Sequence, residues 1–248
     1  MHSHGEPGTT RRETPLFQCF HVTERTPDGR TVFDDATLEI HRRDFVCLLG
    51  PTGSGKTAFF RMLLGLEPPS GGQVFFQGRN IQRMAPGELP RLRRCVGIVL
   101  QDLKLLPGRN AFANAALPLA AAGRDRLFVE DRVRRVFRLV ELEDRMYVPV
   151  DRLNAVEKKR LAFARAMANE PLVLLADEPA GMLDEDGARA IFDLLRRVHL
   201  QGVAVVAASN DLSLPAVFPG SRTVSIDGGR LVEGPMTLRG GRRLSAAW

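Results

Sequence analysis

Apolar and polar residues alternate along "LFQCFHVTE" (16–24) and "TVFDDATLEIHR" (31–42), with the turn stretch "TPDGR" between them. A period of two predicts a pair of antiparallel strands, each with one covered face. Four other runs do not alternate: "DFVCLLG", "CVGIVLQD", "LVLLAD" and "GVAVVAAS". Short, continuously apolar segments are expected where a strand is buried on both faces. Between them the period lengthens. "TAFFRMLLGL" predicts a helix ending near Pro68 and Pro69, and "GARAIFDLLRRVHL" predicts another. In "LFVEDRVRRVFRLVEL", Val129, Val133, Val136, Phe137 and Val140 share one helical face, and four arginines fall on the solvated remainder. "GGQVFFQGRNI" reads as a hairpin or edge strand, and "RTVSIDGGRLVEG" as a hairpin turning at "DGG". Strands alternating with helices predict an α/β fold with a mainly parallel sheet and no internal repeat.

Composition narrows the class. A chain of 248 residues, 44% hydrophobic and 26% charged, is long enough to bury a full core. Basic residues outnumber acidic ones 35 to 29, and only Lys56, Lys104, Lys158 and Lys159 among them are lysines. The net charge of +6 fits a solvated basic surface, or work beside anionic lipid or nucleotide. Cys19, Cys47 and Cys95 lie far apart with no C-x-x-C pair, which implies reduced thiols rather than a disulfide framework or zinc site. "MHSHGEPGTTRRETP" lacks the apolar centre of a secretory signal, and its His2 and His4 fit a disordered tail at 1–15 better than a metal site. "AFANAALPLAAAG" is too short to span a bilayer and contains Pro118. A soluble protein is expected, with any membrane part supplied by a partner. The end of the chain, 236–248, reads as a basic flexible tail whose Arg239, Arg242, Arg243 and Trp248 suit anionic lipid.

"GPTGSGKT" carries the chemistry. It fits G-x-x-x-x-G-K-[ST] between a buried strand and a helix, the context that the motif requires. Gly50, Gly53 and Gly55 let backbone N–H groups face inward toward phosphates, and the following helix points its positive end at them. The candidate nucleotide-binding residues are Gly50, Pro51, Thr52, Gly53, Ser54, Gly55, Lys56, Thr57 and Ala58. Lys56 would neutralise the β- and γ-phosphates of ATP, and the Thr57 hydroxyl would bind Mg²⁺. Far downstream "LVLLADEP" closes a strand with two carboxylates. Asp177 is placed to hold Mg²⁺ and Glu178 to polarise the attacking water.

This layout resembles the nucleotide-binding subunits of ABC transporters, from about Leu16 to Pro235. The resemblance implies an ABC ATPase domain over 16–235, with an antiparallel β subdomain and a helical subdomain inserted at about 103–165. Gln101 in "VLQD" matches the family's glutamine that contacts Mg²⁺ and relays nucleotide state to the membrane partner. Asp184 in "MLD" matches the family's loop after the catalytic carboxylate. "LPRLRRCVGIVLQDLKLLPGRNAFANAALPL" and "LLADEPAGMLD" look most like the family's cell-division group. ATPases of lipoprotein release and macrolide export are similar. The cell-division group implies an integral membrane partner, a homodimer in the ATP-bound state, a peripheral place on the cytoplasmic face of the inner membrane, and no nucleic acid.

Three parts of the site depart from the family pattern. The signature L-S-G-G-[EQ], which reaches the other subunit's γ-phosphate in the family's dimer, reads Leu153-Asn154-Ala155-Val156-Glu157. Ala155 and Val156 put bulk where bare backbone is wanted, and a β-branched Val156 at positive φ would be strained. Asn210 stands where the switch histidine is expected. An amide donates one hydrogen bond there but takes no proton. Thr26 stands where an aromatic would stack on adenine, with Phe33 and His21 as nearby candidates to replace it. Slow hydrolysis is the expectation; a hydrolysis-poor nucleotide-binding scaffold is the alternative.

Overall fold

The computed structural model describes residues 14–26 and 29–234. His2, His4, Arg239, Arg242, Arg243 and Trp248 lie outside the described residues.

The alternating segments form β1 (Phe17–Arg25) and β2 (Thr31–Ile40), paired antiparallel. β3 (Phe45–Leu49) follows, buried throughout, and leads through the glycine-rich loop into α1 (Lys56–Leu63). Gly65, at φ 60°, turns the chain away soon after α1, earlier than the two prolines suggest. β4 (Gly71–Phe76) and β5 (Arg79–Asn80) make a hairpin, α2 (Leu89–Arg94) is short, and β6 (Val96–Val99) enters the core. Three helices and a strand follow in order: α3 (Ala111–Ala121), α4 (Arg126–Val140), α5 (Ala155–Met167) and β7 (Val173–Asp177). The chain closes with α6 (Glu185–Leu200), β8 (Ala204–Ser209), α7 (Leu214–Val217), β9 (Arg222–Asp227) and β10 (Arg230–Glu233).

Two sheets result. β2-β1-β4-β5 is antiparallel; β10-β9-β3-β8-β7-β6 is parallel except for its edge strand β10. This is the α/β fold of a P-loop NTPase. The apolar runs are continuous because both faces of the parallel sheet are covered. Phe45, Cys47 and Leu49 of β3 face the core that holds α3 to α6, while Val46 and Leu48 face the core shared with α1 and the antiparallel sheet.

On α4 the predicted stripe is buried at Val133, Val136, Phe137 and Val140, with Val129 half-buried beside them. Its arginines are not all solvated. Arg132 lies against the end of α5 and donates to the carbonyls of Met167 (2.7 Å) and Ala168 (2.8 Å). Those carbonyls end the last helical turn, where that of Met167 also accepts from Glu170 N–H (3.2 Å), and a cation there adds a donor and offsets the dipole. Pro118 sits within α3, near its end. The fully buried Asn114 donates to the carbonyls of Asn110 (3.1 Å) and Leu106 (3.2 Å), tying the helix to the chain before it.

Candidate active site

Four parallel strands deliver the candidate residues to one edge of the sheet, outside their carboxyl ends, where open α/β sheets bind ligands. The phosphate loop follows β3, Gln101 follows β6, Asp177 ends β7 with Glu178 beyond it, and Ser209 and Asn210 follow from β8. β8 lies between β3 and β7, with Leu49 opposite Ser209 and Asp177 opposite Ala208. Residues some 120 positions apart thereby line one cavity of about 480 Å³. Thr52, Gly53, Gly55, Lys56, Thr57, Ala58, Gln101, Asp177, Glu178 and Asn210 are on its wall. Gly50, Pro51 and Ser54 belong to the same loop but do not line the cavity.

The loop's geometry explains its glycines. Gly53 (φ 79°) and Gly55 (φ 104°) are in the left-handed half of backbone space. A Cβ on Gly55 would collide with Val32 Cγ1 and lie 3.0 Å from Phe33 Cζ, so β2 packs directly on the loop there. At Gly50 a Cβ would lie 2.5 Å from Ser54 Oγ, itself buried with no hydrogen-bond partner. Lys56 is only 6% exposed; its Nζ donates to the carbonyls of Gly50 (2.6 Å) and Pro51 (3.2 Å) and lies 3.4 Å from Glu178 Oε1. The ammonium thus spans the loop's mouth with backbone and one carboxylate as partners.

Opposite it, Thr57 Oγ1 donates to Asp177 Oδ2 at 2.5 Å. Asp177 is 2% exposed, and burial pushes its carboxyl above the ordinary range, against the lowering effect of the Thr57 hydrogen bond. A desolvated carboxylate with a hydroxyl oxygen beside it is a hard-oxygen pair whose charge a divalent cation would offset. Among the described residues no group of three or more His, Cys, Asp or Glu could hold a metal. The Thr57–Asp177 pair fits the needs of Mg²⁺, which takes one or two side chains and completes its shell with phosphates and water.

Glu178 takes the left-handed conformation, φ 45°, directly beyond β7. Its carboxylate accepts from the Asn210 backbone N–H (2.8 Å) and Ser209 Oγ (3.1 Å). Its carbonyl accepts from Gly181 N–H (3.0 Å) and from Lys159 Nζ (3.0 Å). Neither Ser209 nor Lys159 is conspicuous in the sequence. A serine ending an apolar strand carries no periodic signal, and the lysine's position on the buried side of α5 depends on packing. The Asn210 side chain reaches Thr52 Oγ1 at 3.4 Å, so the amide meets the phosphate loop as its position after β8 suggested.

The altered segment is relaxed. Ala155 and Val156 are the first residues of α5, with no positive φ, so the strain considered for Val156 is absent. Asn154 is the N-cap: its Oδ1 accepts from Glu157 N–H (2.8 Å), and Glu157 Oε2 accepts from Asn154 N–H (2.9 Å). This is a reciprocal capping box, legible in the sequence as N-x-x-E. The cap engages the amide oxygen and leaves only Nδ2 to donate outward. Val156 packs toward α6, where Gly187 makes room for it.

On the base side, Thr26 lines the cavity with Arg30 and Val32. Thr26 donates through N–H and Oγ1 to the Arg30 carbonyl (2.9 and 3.0 Å). Neither aromatic replacement is available. Phe33 is fully buried against Phe59, ring centroids 5.9 Å apart, and His21 pairs with Asp35 away from the cavity. Among the described residues no aromatic lines the cavity.

A P-loop facing a carboxylate pair across a parallel sheet, beside a separate antiparallel sheet and a helical layer, defines a nucleotide-binding cassette. The ABC transporter family profile matches residues 33–181, and the chain belongs to that family of ATP-binding domains. It is 37% identical over 213 residues to the cell division ATP-binding protein FtsE of Mycobacterium tuberculosis, covering 86% of this chain and 92% of that one. It is 36% identical to the methionine import ATP-binding protein MetN of Rhizobium meliloti, over 86% of this chain but only 61% of that protein. The dimeric, post-hydrolysis structure of the ATP-binding cassette MJ0796 bound to ADP and Pi matches with a TM-score of 0.79 at 26% identity, covering 89% of this chain and 98% of that one.

Proposed function

We propose that this chain is the ATP-binding subunit of an FtsE-like complex in cell division, binding MgATP and hydrolysing it slowly. The observation that carries the reading is one cavity lined by the glycine-rich loop, Lys56, Asp177 and Glu178, in a chain 37% identical to an FtsE over 86% of its length. Residues 16–235 would act as one ABC ATPase domain, with a helical subdomain at about 103–165. Lys56 would exchange the Gly50 and Pro51 carbonyls for the β- and γ-phosphate oxygens. Thr57, Asp177 and Gln101 would hold Mg²⁺, which supplies charge neutralisation at the phosphates. Glu178 would accept a proton from the attacking water, and Asn210 would donate one hydrogen bond to the γ-phosphate.

Turnover is slow in this reading for two reasons. In a dimer like that of MJ0796, Asn154 would offer the neighbouring γ-phosphate only its amide Nδ2, beside the side chains of Ala155 and Val156. Asn210 replaces a group able to carry charge. Losing one preorganised charge-stabilising donor costs about 10²–10³ in rate. A partner resembling the integral membrane protein FtsX would place the subunit peripherally on the cytoplasmic face of the inner membrane. The groove of about 860 Å³ lined by Gln101–Leu105, Pro107 and the start of α5 suits a cytoplasmic segment of that partner. No helix among the described residues is long and apolar enough to cross a membrane.

Single-turnover hydrolysis of MgATP by the wild type and Glu178→Gln, with and without an FtsX-like partner, tests the proposal. Slow hydrolysis that the partner accelerates and Glu178→Gln abolishes is expected. Binding without hydrolysis in both conditions would leave a nucleotide-dependent scaffold instead.

A further inference from the structure

One buried cation, on the wall of the groove of about 860 Å³, has no part in the chemical steps above. Lys159 is on α5, the helix headed by the altered signature segment, and is only 7% exposed. Its Nζ donates to the Glu178 carbonyl at 3.0 Å. The carbonyl's other partner is Gly181 N–H, which closes the turn after Glu178. Burial pushes the Lys159 ammonium below the ordinary lysine range, and the charges of Glu178 and Asp177 oppose that shift. Desolvating an ammonium is costly, and an apolar side chain would fill this place more cheaply. The ammonium meets Glu178 at the one non-glycine left-handed residue among the candidate catalytic groups. A left-handed conformation at a residue with a side chain persists only where its surroundings over-determine it.

The geometry points to Lys159 as the positioning residue of Glu178. From beneath the turn it holds the main chain, so that the carboxylate projects into the cavity beside Lys56. The carboxylate side is held separately by Ser209 Oγ and Asn210 N–H. Removing Lys159 therefore frees the backbone of Glu178 without removing either contact to its side chain. Among the described residues Lys159 makes no hydrogen bond or ion pair to the phosphate loop, so nucleotide affinity and turnover are expected to separate. The inference rests on the hydrolytic role proposed for Glu178, and its test has one arm that needs no hydrolysis.

Lys159→Met keeps the unbranched stem and nearly the volume while removing the charge and the donor, and Lys159→Gln restores a neutral donor one bond shorter than the lysine. In single turnover, Lys159→Met is expected to slow hydrolysis by about tenfold or more while the Kd for MgATP stays within about twofold, with Lys159→Gln recovering most of the rate. In the nucleotide-free protein, amide hydrogen exchange at 178–182, Gly181 above all, should quicken about tenfold in Lys159→Met and stay near wild type in Lys159→Gln. A wild type without turnover sinks the hydrolytic role of Glu178, and the exchange arm then decides on Lys159 alone. Unchanged exchange at 178–182, or faster exchange throughout the protein in step with a lower Tm, overturns the positioning role. So does equal loss of MgATP affinity and rate.

Discussion

Restoring the family's residues in the signature segment and at the switch position should lower stability and raise activity together. The perturbation is Asn154→Ser, Ala155→Gly and Val156→Gly combined with Asn210→His. Serine caps a helix about as well as asparagine, so the bond to Glu157 N–H survives the first change. Ala155 and Val156 occupy the first turn of α5, where each glycine costs up to about 1 kcal/mol in backbone entropy. Val156 also gives up its contact with Gly187. A total of about 1–2 kcal/mol follows, or roughly 2–8 °C in Tm for a chain of this size. The catalytic side moves the other way. A recovered donor at each position is worth about 10²–10³ in rate, and the two act on one transferring phosphoryl group. Either repair alone should therefore do little, while the combination should raise kcat about a hundredfold or more. Single-turnover hydrolysis at saturating MgATP, with differential scanning calorimetry on the same samples, reads both effects. A wild type that already hydrolyses as fast as the fourfold variant would refute the reasoning and show Asn154 to Val156 to be compatible with full catalysis.

Other outcomes follow from single contacts. Gly55→Ala forces a left-handed alanine into Val32 and the buried ring of Phe33; a loss of about 2–5 kcal/mol in urea unfolding and of ATP binding is expected, and wild-type stability would contradict the packing. Asp177→Asn bears on pH. The native carboxyl titrates above its unfolded value, so ionised Asp177 opposes folding, and the opposition disappears as pH falls below the ordinary carboxyl range. The asparagine variant should thus have the higher Tm at pH 7, by a margin that shrinks toward pH 4, and should lose the Mg²⁺-dependent part of nucleotide binding. A lower Tm at pH 7 would count against desolvation as the dominant cause. Asn154→Ala breaks the capping box and should cost about 1 kcal/mol in urea unfolding without changing the ATP affinity of the monomer, whose own cavity Asn154 does not line. Unchanged stability would mean that the cap contributes nothing.

Much of the architecture was legible because the forces that set it are local and periodic. Alternation in β1 and β2, apolar continuity in β3, β6, β7 and β8, and the 3.6-residue stripe of α4 each report which faces are covered. The phosphate loop was legible for a different reason: a backbone cradle needs glycine at particular positions, and Gly53 and Gly55 do take positive φ. Short elements escaped. α2 and α7 are six and four residues long and carry too little period to register.

What remained was set by packing between segments distant in the chain. Residue types make Lys56 and Glu178 candidates for one chemistry, but strand order puts them 3.4 Å apart by laying β8 between β3 and β7. Phe33 as a stand-in for the adenine aromatic was a matter of orientation, decided when β2 packed onto α1 and buried the ring against Phe59. The strain considered for Val156 required a backbone angle that sequence does not contain; the capping box of Asn154 and Glu157 supplies an ordinary helical start instead. Lys159 shows the same division. Composition makes it one of four lysines on a basic surface, and only the rotation of α5 against the end of β7 turns its ammonium inward to the Glu178 carbonyl. Local sequence determines which conformations each segment favours. Which side chains meet is decided by long-range packing, because burial energy depends on the whole core rather than on any one segment.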